Sequence, residues 1–212
     1  MAHDMHPQDR PRLSPELMVR AYAAGIFPMS EGSDAPDIFW VDPQRRGVFP
    51  LDEFHVSRSL RRRIRKGGYE VRVNRDFAGV VEGCANRKPT WINHELLACY
   101  QVLHAQGLAH SLEIHDEAGL AGGVFGIALG AAFFGESMFS RRTDASKLAL
   151  AHLVHRLRAG GFTLFDTQFV TDHLISLGAR EIPRSRYREQ LSRALTRTAD
   201  FHALPEDAPL TL

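Results

Sequence analysis

The hydrophobic positions fall into two periods along the chain. Leu96, Leu97, Tyr100 and Leu103 recur at the spacing of one helical face, which predicts a helix over residues 93–106 that stops at Gly107. Leu150, Leu153, Val154 and Leu157 repeat that pattern, and predict a helix capped by Asp144 that runs to Ala159 before Gly160-Gly161. Between the two helices the period changes. SLEIH at 111–115, the glycine-rich LAGGVFGIALG at 120–130 and AAFFGESMFS at 131–140 read as a β-meander, with a turn at DEAG 116–119. Glycines inside such strands point to bulges or to the close approach of another backbone or a ligand.

Weaker signals fill in the rest. Ser14-Pro15-Glu16 is a helix start, and Gly25 can end that helix. Ser57 can cap a helix that runs to Lys66, closed by Gly67-Gly68 and followed by a strand at 69–73. A short helix over 76–85, a strand FTLFDTQFV at 162–170, a short helix at 172–177 and a last helix at 186–198 complete the reading. Residues 26–54 are rich in Pro, Gly and aromatics without a steady period, so short strands and turns are expected there, and the polar residues 1–12 are expected to be disordered. A meander followed by helix and strand fits an α/β (α+β) fold with a mixed sheet. A central sheet splayed to admit an acyl-carrying ligand is one such architecture.

Composition narrows the class. Of 212 residues 44% are hydrophobic and 24% charged, with a net charge of +1, which excludes disordered, fibrous and collagen-like chains. Cys84 and Cys99 cannot make a disulfide framework. The N-terminus lacks a signal-peptide core, and the longest apolar stretch, 120–134, is interrupted by glycines and shorter than the ~20 residues that span a bilayer. A soluble cytoplasmic protein with no membrane partner is expected.

Several residues could carry chemistry. GESMF at 135–139 has Phe where the nucleophile elbow G-x-S-x-G needs its second glycine, which argues against a serine hydrolase. His152 and His155 lie three apart on a helix but lack a third metal ligand, and read as a helix face. No Walker loop or dinucleotide fingerprint is present. The segment 58–75 concentrates Arg58, Arg61, Arg62, Arg63, Arg65, Lys66, Arg72 and Arg75 against Glu70 alone: a solvated face, or a surface for nucleic-acid phosphates through Arg61, Arg62, Arg65 and Lys66. Trp40 and Trp91 are core residues or stacking partners for a base. Glu136 sits among aromatics and Met, where a buried carboxyl must be paired or hydrogen-bonded. Asp166 and Gln168 alternate on a strand, so both should point to one face, where an acid and an amide suit proton handling or equally a polar sheet edge.

As a set, these residues are recognisable. AYAAGIFPM, FWVDPQRRGVF, TWI, GLAHSLEI, GESMFSRRTDASK and FDTQFVTDHLISLGAREIPR, in this order from about Leu13 to about Leu191, resemble the leucyl/phenylalanyl-tRNA–protein transferase family. The resemblance implies transfer of Leu or Phe, and less well Met, from aminoacyl-tRNA to proteins whose N-terminal residue is Arg or Lys, which marks them for N-end-rule degradation. It implies no metal and no small cofactor. It implies a small N-terminal domain, placed at 1–55, packed on a domain at 56–212 with an acetyltransferase-like (GNAT-like) fold and a largely antiparallel sheet. It places Trp40 and Trp91 around the terminal adenosine and Val124, Phe133, Met138, Leu150 and Leu153 around the aminoacyl side chain. Asp166 and Gln168 align with residues assigned to catalysis, and Glu136 with an acidic group near the acceptor. The chain departs from the family at Asp144 and Thr171, where Asn is common, and at Val124 and Leu153, which replace larger pocket residues.

The implied chemistry is undemanding. The aminoacyl ester is already activated, and an α-amine with a pKa of about 7.7–8.0 is partly neutral at cellular pH. Proximity alone can supply roughly 7–11 kcal/mol. Direct aminolysis without a covalent enzyme intermediate is therefore expected, with Gln168 orienting the amine or the ester carbonyl and Asp166 polarising Gln168 or taking up the proton through it. Three rivals fit less well. An acyl-CoA-dependent N-acetyltransferase needs a glycine pair that the loop SRRTDASK lacks. A transferase for acidic N-termini needs a basic acceptor pocket. An RNA-binding module leaves the carboxylates without a purpose.

Overall fold

The computed structural model describes residues 13–210; the polar stretch 1–12 lies outside them. Helix α1 (Pro15–Ala23) starts where Ser14 accepts the main-chain N–H of Leu17, and the chain leaves it through Gly25 at φ 80°. Strands β1 (Phe27–Ser30) and β2 (Ile38–Val41) form a separate antiparallel pair. Strand β3 (Arg45–Val48) is followed by a 3-10 turn at Leu51–Glu53 and by α2 (Arg58–Lys66), which Ser57 caps at Leu60. Then come β4 (Glu70–Val73), α3 (Phe77–Ala85), α4 (His94–Ala105), and the meander β5 (Ala109–Asp116), β6 (Gly119–Leu129) and β7 (Ala132–Ser140). Helix α5 (Ala145–Ala159), β8 (Leu164–Gln168), α6 (Asp172–Ser176), β9 (Arg180–Pro183) and α7 (Arg184–Leu195) complete the chain.

The large sheet has seven strands in the order β4-β5-β6-β7-β8-β3-β9, and β7 with β8 is its parallel pair. The fold is thus a mixed α/β one. Alternating side chains feed two cores. Phe125, Ile127 and Phe134 pack with Tyr22, Val80, Leu96 and Leu191 from α1, α3, α4 and α7. Leu112, Val124, Phe133 and Phe165 pack with Leu60, Leu148 and Leu157 from α2 and α5.

Three features differ from the sequence reading. Residues 180–183 form strand β9, although Pro183 suggested only a helix start; an edge position tolerates a proline. Strand β3, on the N-terminal side of residue 55, sits between β8 and β9 in the large sheet. Asp144 stands at the start of α5 but does not cap it. Its φ is 64° and its carboxylate accepts from Lys147 at 2.8 Å, while Ser140 Oγ takes the free N–H of Ser146 at 2.8 Å.

The glycine-rich strands do carry bulges. Phe125 pairs with Ser137, but Gly126 pairs with Gly135, which leaves Glu136 as an extra residue on β7. A bulge re-aims the side chain it carries. Here it also reverses the alternation, so that Phe133 and Met138, an odd number of residues apart, both pack with the α5 core.

Candidate active site

Strands β7 and β8 pair only from Ala132–Leu164 to Phe134–Asp166. Beyond that point β7 stays with β6 and β8 with β3, so the sheet splays open. A cavity of about 400 Å³ occupies the gap. Its walls are mostly apolar: Val124 of β6, Met138 of β7, Leu150 of α5, Phe165 of β8, Phe27–Met29 of β1, and Phe169 and Leu174 beyond β8. Glu136, Thr167, Gln168, Thr171, Trp91 and Arg87 supply its polar and aromatic rim.

Glu136 is 9% exposed. Tyr100 donates its hydroxyl to Glu136 Oε2 at 2.7 Å, and Gln168 Nε2 donates to Oε1 at 3.1 Å. Because the single proton of Tyr100 goes to the carboxylate, the Tyr22 hydroxyl 3.3 Å away is the donor to Tyr100. The result is a line of hydrogen bonds, Tyr22 to Tyr100 to Glu136, met from the other side by Gln168. Burial pushes the Glu136 carboxyl up to about 7, against the pull of the two tyrosines. Burial and the adjacent Glu136 push both tyrosines well above the usual phenol range, so they remain donors.

Asp166 is fully buried. It accepts from Arg46 Nε at 2.9 Å, Arg46 Nη2 at 2.7 Å, the Tyr187 hydroxyl at 2.7 Å and the main-chain N–H of Gln168 at 2.8 Å. The Arg46 guanidinium lies 4.5 Å from the centres of both the Phe27 and the Tyr187 rings, and its third donor goes to Gly25 O at 3.0 Å. Burial works against the Arg46 charge, but the Asp166 carboxylate raises its pKa on balance. With its lone pairs engaged, Asp166 is closed to a substrate.

The expected side-by-side pair on one strand face is therefore arranged differently. Gln168 has φ 54°, which ends the regular alternation of β8. Asp166 holds the Gln168 backbone, and the Gln168 side chain turns to Glu136. Gly47 makes room for this turn: a Cβ there would lie 2.7 Å from the carbonyl carbon of Phe169 and 2.8 Å from Thr167 Oγ1.

The other residues singled out by sequence divide into wall, second layer and periphery. Trp91, Val124, Glu136, Met138, Leu150 and Gln168 line the cavity. Phe133 is fully buried one layer further in, edge-on to Phe165 at 5.7 Å, and Leu153 is buried one turn along α5 from Leu150. Trp40 is 40% exposed on β2, opposite Pro28 of the cavity wall. Thr171 lines the cavity while capping α6 at Leu174. Arg61, Arg62, Arg65 and Lys66 are exposed on α2 and make no ion pair among the described residues, whereas Arg63 folds back onto Gly67 O and the Tyr69 ring. His152 is a partner of the Tyr69 hydroxyl at 3.1 Å, and burial pushes its pKa down to about 4.

Tyr22, Tyr100, Arg46, Tyr187 and Thr167 escaped the sequence reading. Tyr100 stood in a helical stripe and counted as core; the available signal was that a buried tyrosine hydroxyl requires a partner. Thr167 Oγ1 is buried in the cavity wall without a hydrogen-bond partner among the described residues.

Comparison with known proteins adds to this geometry. The family model described as leucyl/phenylalanyl-tRNA protein transferase matches residues 48–192, and the model of that family's N-terminal domain matches residues 12–44. A leucyl/phenylalanyl-tRNA–protein transferase of Jannaschia sp. (strain CCS1) is 75% identical over the whole of both chains. One of Ruegeria pomeroyi is 64% identical over 93% of this chain and 94% of its own. Among solved structures, that of L-PGS from Bacillus licheniformis is similar at a TM-score of 0.42 and 16% identity, covering 76% of this chain and 55% of that one.

Proposed function

The chain belongs to the leucyl/phenylalanyl-tRNA protein transferase family, and from that premise we propose how its splayed-strand cavity transfers Leu or Phe from aminoacyl-tRNA to a protein N-terminus. The observation that carries the proposal is the Glu136–Gln168 pair at the rim of an apolar cavity of about 400 Å³. The aminoacyl side chain occupies the apolar part, among Val124, Met138 and Leu150, and Trp91 stacks on the terminal adenosine. Trp40 serves the same adenosine from the neighbouring strand, and Phe133 and Leu153 set the pocket's depth from the layer behind its wall.

Gln168 is the reacting-centre residue. With Nε2 committed to Glu136, its carbonyl Oε1 is left to accept an N–H from the attacking α-amine. That bond aims the nitrogen lone pair at the ester carbonyl carbon. The C–N bond forms, the bond from that carbon to the ribose oxygen breaks, and the amine's proton passes to the departing ribose hydroxyl. Glu136 and the tyrosines behind it hold the amide in place, and the carboxylate faces an acceptor whose N-terminal Arg or Lys is cationic. Asp166 is a positioning residue: it fixes the end of β8 through Arg46, Tyr187 and the Gln168 backbone. Ser137 takes no covalent part, and the transfer uses no cofactor.

We treat residues 1–55 as a small N-terminal unit and 56–212 as an acetyltransferase-like domain; the first lends β3 and the wall at 27–29 to the second. The exposed cations Arg61, Arg62, Arg65 and Lys66 contact tRNA phosphates. None of the described helices is long and apolar enough to cross a membrane, in keeping with the cytoplasm, where charged tRNA is made, as the place of action, and N-end-rule proteolysis as the fate of the product.

The direct test is to incubate the protein with Leu-tRNA or Phe-tRNA and a peptide beginning with Arg, and to weigh the peptide. A Leu or Phe mass increment on Arg- and Lys-peptides, absent from Glu-peptides, is expected. No increment with either donor, or equal modification of Arg- and Glu-peptides, would refute the assignment.

A further inference from the structure

A second large cavity lies at the other end of β8. It measures about 510 Å³ and is walled by Phe49–Glu53, Phe162, Leu164, Ile182 and one face of α7. Phe165 belongs to the walls of both cavities. Along β8 the two ends are separated by a rise of roughly 13 Å.

The wall of this cavity is basic. Arg180, Arg186, Arg193 and Arg197 face Asp52 and Glu53 around it. Both acids already have partners: Asp52 pairs with Arg158 at 3.3 Å and Glu53 with Arg180 at 3.1 Å. Near the start of α7, Arg184 and Arg188 hold Asp42 at 2.9 and 2.8 Å, which ties the helix to the residue after β2. Arg186, Arg193 and Arg197 make no ion pair and no side-chain hydrogen bond among the described residues, and Glu189 pairs with none of them. Arg186, Gln190 and Arg193 follow one another at the i, i+4, i+7 spacing of a single helix face, and Arg197 lies just beyond its end. Uncompensated guanidinium groups lining one concavity focus a positive potential there. Their planar forks match phosphate oxygens two at a time.

We infer that the α7 cavity is a second phosphate-binding surface for the tRNA, which grips its backbone away from the aminoacyl end. The inference rests on the aminoacyl-transfer reading above. Its ligand is singled out by continuity. Glu53, in the cavity wall, is followed five residues later by Arg58, the first residue of α2. The chain therefore keeps this wall of the cavity within about 18 Å of the start of α2, the helix that carries the exposed cations, since five residues span at most that far. A polyanion with its 3′ end in the β7–β8 gap and a backbone tens of ångströms long can meet both surfaces at once. The N-terminus of an acceptor protein, read at the gap by a carboxylate, provides no such continuous charge.

The experiment compares wild type with an Arg186→Gln, Arg193→Gln, Arg197→Gln triple variant. Leu-tRNA binding is titrated against KCl, and transfer is also measured from 3′-leucyl-adenosine, a donor with no phosphate to reach α7. Loss of three contacts should lower the slope of log K on log[salt] by about 2, at roughly 0.7–0.9 per phosphate. Affinity at low salt should fall by tenfold or more. A triple Arg→Lys variant should recover most of it, which a folding defect would not allow. The deficit should appear with Leu-tRNA and not with leucyl-adenosine. An unchanged slope and affinity would overturn the proposal, as would a loss of equal size with leucyl-adenosine or one expressed only as a higher KM for the acceptor protein. Failure of the wild type itself to bind Leu-tRNA would instead remove the underlying reading.

Discussion

A carboxyl group needs unusual surroundings to titrate near neutrality, and Glu136 has them. Buried at the bulge of β7, it has its pKa raised to about 7 by loss of water, despite the tyrosines that donate toward it. An acid whose folded pKa lies above its unfolded value stabilises the fold below the unfolded pKa, near 4.5, and that contribution is lost as pH rises through about 7. Glu136→Gln keeps the neutral form at every pH. Relative to wild type it should therefore gain stability between pH 5 and pH 8, by at most about 3 kcal/mol at 1.36 kcal/mol per pH unit. Urea unfolding at the two pH values checks this, and a pH-independent difference would contradict it. The sequence singled out Glu136 as a carboxyl that must be partnered, but not its partners. Tyr22 lies far from it in sequence, and Tyr100 sat in an apolar stripe that periodicity alone reads as core.

Elements place these residues more firmly than propensity suggests. Ser14, Ser57, Asp76, Asn93 and Thr171 cap their helices with hydrogen bonds to the backbone, as short polar side chains before apolar periods should. Most helices and the meander were legible for that reason. The pairing of β3 and β9 was not, because four-residue strands carry little periodicity; β3 gains its order from β8, and the edge strand β9 from β3. The same pairing explains a glycine. Gly47 lies opposite Gln168, where any Cβ would strike the Phe169 backbone. Gly47→Ala should displace residues 167–169, cost about 1–3 kcal/mol as overpacking does, and lower the transfer rate more than it lowers tRNA affinity. Chemical denaturation with single-turnover kinetics measures both, and wild-type kinetics in the variant would show that the β8 end is not held through β3. On α2, the cations left without partners should act through phosphates. Arg62→Ala with Arg65→Ala should reduce the salt slope of tRNA binding by about 0.7–0.9 per lost contact and leave the circular dichroism spectrum unchanged. A slope equal to that of wild type would make α2 a solvated face.

At the scale of the molecule, the two cores, the mixed sheet and the β7–β8 gap form one arrangement. Parallel pairing of β7 with β8 brings Glu136 and Gln168, 32 residues apart in sequence, to the same opening. The sequence showed both residues and offered a splayed sheet as one fitting architecture, but the alternation rule assigned Gln168 to a partnership with Asp166. The bulge at Glu136 and the positive φ at Gln168 break that rule at the two positions that matter most. Sequence reasoning fails here for a physical reason: irregular backbone aims side chains where regular strands cannot. The central claim is that Gln168, held by Glu136 and Asp166, orients the amine for direct aminolysis. Its most direct test is single-turnover transfer from Leu-tRNA to an Arg-peptide at saturating concentrations. Gln168→Ala should slow this step by about 10²–10⁴ with little change in Leu-tRNA affinity, while Ser137→Ala turns over and no leucyl-enzyme can be trapped. Full activity in Gln168→Ala, or a covalent leucyl-enzyme, would contradict the account.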